Sequence, residues 1–146
     1  MAITSAICNS FKQEILEAEH NFTASTGNTF NLALYTSSAT LGASTTAYTS
    51  SNEITNSSGT AYSAKGKALT SVTPTLDSST AVCDFADVSW TSASFTANGC
   101  LIFNDSHSTE AAVCAIAFGG DKTVSSGTFT IQFPAAAATT AIIRIA

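Results

Sequence analysis

The first pattern along the chain is helical. Ile7, Phe11, Ile15, Ala18 and Phe22 recur every three or four residues and fall on one stripe, while Lys12, Gln13, Glu14, Glu17 and Glu19 lie off it. This spacing predicts an amphipathic helix from Ser5 to His20, with Thr4 or Ser5 capping its start and Asn21 closing its end. Burying Phe11 and Ile15 is worth roughly 1.5–3 kcal/mol each, so the helix is expected to dock on a sheet. After Gly27-Asn28 the period drops to two. Phe30, Leu32 and Leu34 alternate with Asn31, Ala33 and Tyr35, which predicts a half-buried strand. Thr36 to Ser58 is poor in large apolar residues and reads as a long excursion, anchored by Tyr48 and Ile54.

From Ala68 onward strands follow one another at short intervals. The pattern predicts Ala68–Leu76, a turn at Asp77-Ser78-Ser79, then Ala81–Trp90, Ser94–Phe103, Ala111–Phe118, Thr128–Phe133 and a terminal strand Ala141–Ile145. Pro74 and Pro134 belong at edges or strand ends, because neither can donate to a ladder. Short strands separated by polar turns define the expected class: a mainly β protein, an antiparallel β-sandwich or barrel-like fold with one N-terminal α-helix. The chain of 146 residues is read as a single domain, with the helix at 5–20, the loop at 36–58 and the sandwich over 30–146.

Composition narrows the chemistry. Charged residues are only 10 % of the chain, and Ser and Thr fill the gap at about 30 %. Ten acidic against five basic residues leave a net charge of -5, which argues against a nucleic-acid partner. No apolar run reaches membrane-span length, and the N-terminus lacks the basic start and apolar run of a signal peptide. The sequons at Asn21, Asn56 and Asn104 are read as chance matches in a hydroxyl-rich chain. Cys8, Cys83, Cys100 and Cys114 form no CxxC pair and are expected as buried free thiols.

No catalytic, cofactor-binding or metal site is expected. Glu14, Glu17 and Glu19 read as a solvated helix face. His20 and His107 lie far apart in sequence, and a shared site would need the fold to bring them together. No G-x-S-x-G elbow aims a nucleophile. Asp84 and Asp87 fall on opposite faces of a strand. Gly119-Gly120-Asp121-Lys122 reads as a hairpin loop, because a phosphate loop needs a following helix. Tyr35, Tyr48, Tyr62 and Trp90 leave open a carbohydrate-binding module, although Trp90 shares its strand face with Val82 and Val88 and so reads as core.

Three runs then carry a resemblance over nearly the whole chain: NEITNSSGTAYSAKGKALTSVTPTL, DFADVSWTSASFTANGCLIFND and AFGGDKTVSSGTFTIQFP. With the opening ICNSFKQEILEAEHNF and FNLALYTSSATL, they resemble a family of small virion structural proteins of tailed bacteriophages and prophages. The most specific pieces are Asn52-Glu53, Asp87 with Trp90, Phe95-Thr96-Ala97 and Phe118 to Lys122. The chain departs from the family pattern at Ile54 to Ser57, which lengthen a turn, at Ala61, which replaces a glycine, and at Asn98, where an arginine is common. The resemblance implies a non-enzymatic virion component assembled in the host bacterial cytoplasm. Its expected role is a capsid cement or decoration protein bridging major capsid protein subunits, with a tail or neck component as the alternative.

Two assembly expectations follow. A turn centred on His107 would set Cys100 opposite Cys114 and Phe103 opposite Ala111, within disulfide reach. A homotrimer is expected, partly from the resemblance. The excursion is expected to need a neighbour to order, being poor in large apolar residues, and the terminal strand carries isoleucines on both faces. The competing arrangement pairs that strand within its own sandwich.

Overall fold

A computed structural model describes residues 1–146. The chain is mainly β, with antiparallel sheets and one helix, as the strand spacing predicts. Strands β1 (Ala6–Ile7), β2 (Phe30–Tyr35), β3 (Lys67–Ala68), β6 (Val88–Asn104) and β7 (Ala112–Ile131) form one sheet in the order β1-β7-β6-β2-β3. A second sheet, β4-β5-β8, holds β4 (Ser71–Asp77), β5 (Thr80–Phe85) and β8 (Ile143–Ile145). Phe30 of the large sheet meets Phe85 of the small one at 6.0 Å, and Phe22 stacks on Phe30 at 4.2 Å. This aromatic contact seals the space between the layers.

Helix α1 spans only Asn9–Leu16. The apolar stripe is real, but its two ends are not helical. Ile7 lies on β1, opposite Cys114 of β7, and Phe22 is buried from the segment after the helix. Cys8 takes the N-cap position without a side-chain bond, so Thr4 and Ser5 do not cap; the Ser5 hydroxyl instead accepts from Ala117 N–H. Ala18, at φ 61, ends the helix in the left-handed conformation, and Glu19 N–H donates back to Glu14 O. Asn21 closes a turn further on, accepting from Thr23 N–H.

β2 is central rather than half-buried: five of its six residues are buried, because the chain after it folds back over it. The predicted strand 68–76 breaks at Leu69-Thr70, where the chain leaves the large sheet for the small one. The predicted strand 81–90 breaks likewise at Ala86-Asp87 on its way back. The two-residue turn at Ser78-Ser79 joins β4 to β5 as expected, and Pro74 sits at a register shift in edge strand β4. Ser94–Phe103 extends into β6, and the two predicted strands 111–118 and 128–133 are one strand, β7. Gly119 to Lys122 is therefore no hairpin loop. It lies in a bulge, with Gly99 paired to Ala117 and Ala97 to Lys122, and Gly119 and Gly120 take the positive φ it requires.

The β6–β7 hairpin forms around the predicted turn, but its register is slipped by one residue at Phe103 and, past an irregularity there, by two at the cysteines. Cys100 faces Ile116, Cys114 faces Ile102, and Phe103 faces Ala112, so the cysteines are diagonal neighbours on one face and all four thiols are free. Of the two physical arguments for a trimer, the first loses its premise and the second keeps part of it, because β8 is an edge strand with Ile145 exposed. The excursion is ordered within its own subunit: Ala39, Leu41 and Ile54 are buried, and Ala47 and Glu53 bridge to Ala111 and Tyr35. β8 pairs with β5 of its own chain.

Candidate functional site

The fold brings His20 and His107 together, although nothing in their spacing points to a shared site. Their rings stack 6.1 Å apart, His20 from the segment after α1 and His107 from the tip of the β6–β7 hairpin. The His20 Nε2 lies 2.8 Å from Glu14 Oε2, and His107 Nε2 contacts Glu19 Oε2. Glu14 and Glu19 are thus partnered instead of merely solvated, and Glu17 accepts from Gln13 at 2.9 Å. A carboxylate-histidine pair resembles the base and orienter of a hydrolase, so its free nitrogen decides its chemistry. Ser106 N–H donates to Asn104 Oδ1 at 3.0 Å, which leaves the Asn104 amide NH2 facing His20 Nδ1 at 3.1 Å. The lone pair of His20 is occupied and its side chain is 0 % exposed, so it holds no position from which to take a proton from a substrate. No group of three or more His, Cys, Asp or Glu is placed to hold a metal ion.

The second cluster centres on Glu53. Its carboxylate accepts from Tyr48 Oη at 2.6 Å, Tyr62 Oη at 2.7 Å and the Lys65 backbone N–H at 2.7 Å, while Tyr62 Oη also accepts from Leu34 N–H at 2.9 Å. Asn52 beside it adopts φ 62, and its carbonyl accepts from Thr36 N–H. The Asn52-Glu53 pair is therefore the pin that fastens the excursion to β2. Burial, followed by the Glu53 hydrogen bond, pushes the Tyr62 and Tyr48 phenols far above their ordinary range; burial does the same to Tyr35. Next to this pin Lys65 reaches Glu110 and Asp105, and the hydrogen bonds its ammonium donates to those carboxylates raise its pKa in that order. Its ammonium also stands 5.9 Å from the Tyr48 ring.

The aromatic residues considered for sugar binding are spent in the core. Tyr35, Tyr62 and Trp90 are buried, with Tyr62 stacked on Trp90 at 6.0 Å, and Tyr48 stacks on Phe103 at 4.8 Å. Asp87 accepts from Phe133 N–H and Asp84 from its neighbour Phe85 N–H, so each carboxylate fixes backbone.

What remains open is apolar. Phe11, Ile15 and Phe22 on the helix side face Ala81, Cys83 and Ile143 of the small sheet across a cleft of about 140 Å³. Ile145, which lines it, is 60 % exposed, and Leu16 and Leu76 elsewhere on the surface are 87 % and 73 % exposed. A second apolar strip follows β7 beyond its short pairing with β1, where Phe118, Phe129 and Ile131 are half-buried. That stretch of β7 pairs only with β6, which leaves its outer edge open. No helix is long and apolar enough to cross a membrane.

No family model matches the chain, and no curated protein or solved structure matches it either.

Proposed function

We propose that the chain is a structural component of a tailed-phage virion, a capsid cement or decoration protein that bridges major capsid subunits as a homo-oligomer, with a trimer favoured. The resemblance over nearly the whole chain motivates the reading. The observation that carries it is the uncovered apolar surface: the cleft lined by Ile15, Ile143 and Ile145, the exposed Leu16 and Leu76, and the open edge of β7. Exposed apolar patches and unpaired strand edges mark surfaces that partners cover. The polar clusters, by contrast, are paired within the chain, on its own side chains and backbone. A lattice that binds only the folded form would stabilise it by mass action, and the bridged subunits would gain in return.

The test is the position of this protein's density in a virion reconstruction, together with sedimentation of the purified protein. Density on the head and an oligomer in solution are the expected results. Density at the tail or neck would transfer the protein to that part of the virion. A monomer at high micromolar concentration, with deletion virions that keep full heat resistance, would overturn the cement role.

A further inference from the structure

We propose that the open edge of β7 over residues 128–131 takes an added strand from another protein, a segment with apolar residues at alternate positions and a carboxylate that meets Lys122. The proposal deepens the reading of this edge as a covered surface and rests on it, but not on where in a virion the protein sits.

The edge is bare backbone. The N-terminal segment closes β7 only as far as Ala117, whose N–H donates to the Ser5 hydroxyl at 2.9 Å. Beyond that point β7 pairs with β6 alone, and its outward N–H and C=O groups have no partner in the chain. The usual guards of an edge lie to either side of this stretch: the Gly119-Gly120 bulge and Ser126, at φ 47, before it, and Pro134 after it. Between Ser126 and Pro134 there is no charge and no proline. Only another strand, about 4.8 Å away, offers donors and acceptors at the spacing such an edge demands.

The inner face beside the edge is apolar. Phe129 and Ile131 sit opposite Trp90 and Val88 and so point to the core side of the sheet. With Ile116, Phe118, Phe133 and Ile142 they floor a continuous groove, whose two lobes of about 400 and 250 Å³ share Phe118, Thr130 and Ile131. All six are half-buried, and the Phe118 and Phe129 rings lie 6.2 Å apart. In an added strand every second side chain falls over this floor, which sets the alternation of the partner.

Lys122 stands in the wall of the first lobe. It is exposed, and the other four basic side chains are engaged: Lys12 with Asn9, Lys65 with Glu110 and Asp105, Lys67 with the Ser89 carbonyl, and Arg144 with the Ala138 carbonyl. Its neighbour Asp121 is turned to Asn98, at 2.8 Å. An unpaired ammonium at the mouth of an apolar groove selects a segment that brings a carboxylate. The chain's own edge strands do not supply one. β4 carries Pro74, which cannot donate to a ladder, and β3 and β8 bring Lys67 and Arg144. A second β7, turned about a twofold axis within residues 128–131, sets Lys122 beside residues 134–140, none of them acidic.

The experiment is NMR titration of the isolated protein with a short peptide that alternates valine with threonine and ends in aspartate. The controls are the same peptide ending in lysine and the same peptide N-methylated throughout. Expected are shifts and added amide-exchange protection confined to residues 128–131 and the groove, with binding about fivefold weaker for the lysine peptide at low salt. Lys122→Glu, a surface change, should reverse that preference. No protection at millimolar peptide, equal binding of either control, or edge protection that rises with protein concentration alone would overturn the proposal; the last would assign the edge to a second copy. Such a failure leaves the virion placement standing, because the reconstruction decides that separately.

Discussion

Replacing Glu53 by alanine removes one acceptor from three donors at once, two of them on side or main chains buried against β2. Hydrogen bonds to a charged group are worth about 1.5–3 kcal/mol each, and a buried donor left unpaired keeps its desolvation cost. The Tyr62 hydroxyl has no second acceptor, whereas half-buried Tyr48 can turn to water. Counting Tyr62 and the Lys65 N–H in full and Tyr48 lightly gives a loss of about 3–5 kcal/mol. For a domain of this size that lowers the midpoint of thermal unfolding by roughly 10–15 °C. Glu53→Gln is the informative control. Its amide oxygen can stay where Oε1 stands, serving Tyr62 and Lys65, while Tyr48 reverses to accept from the new NH2. The expected cost is about 1 kcal/mol. Urea unfolding followed by tryptophan fluorescence reads both, because Trp90 lies against Tyr62. An alanine variant within about 1 kcal/mol of the parent, or a glutamine variant as damaged as the alanine, would refute the account of Glu53 as the pin.

Two further outcomes are expected. Burial raises the Cys8 thiol to about 11 and Cys83 and Cys100 to about 12, and Cys114 lies well above its ordinary value, so a thiol reagent at pH 8 should label none of the four until the protein unfolds; rapid labelling of the native protein would contradict the packing. Gly66→Ala and Gly59→Ala should separate strain from crowding: both sites have positive φ, but a Cβ at Gly66 falls 1.8 Å from Leu32 O while Gly59 faces open space. The first should cost about 3 kcal/mol or more and the second about 1–2, measured by the same denaturation, and equal costs would exclude the close approach to β2.

The sequence made legible what period and turn chemistry control. β2, the Ser78-Ser79 turn, the hairpin around His107 and the placing of Pro74 and Pro134 all follow from alternation and from residues that cannot sit elsewhere. The helix was over-extended for an instructive reason. Ile7 and Phe22 are buried, as the stripe demands, but through a strand and a loop, and periodicity records burial without recording the backbone that achieves it. The excursion misled in the opposite sense. Its shortage of large apolar residues suggests weak anchorage, yet Glu53 and the carbonyls of Asn52, Leu34 and Glu110 fasten it through hydrogen bonds. The histidine pair had no sequence signal at all, since Glu19 and His107 meet only when the helix segment is laid on the hairpin tip.

The pairing of Ile7 with Cys114 also sets a schedule for synthesis. At about 5–20 residues per second, the ribosome needs roughly 5–20 s to make the intervening chain. Through that interval β1 has no strand partner, and Ile7 travels unpaired. β2 waits in the same way for β6. The N-terminal segment is made early and set in place late, so its docking on β7 is a closing step that a truncated chain ending before residue 112 cannot take.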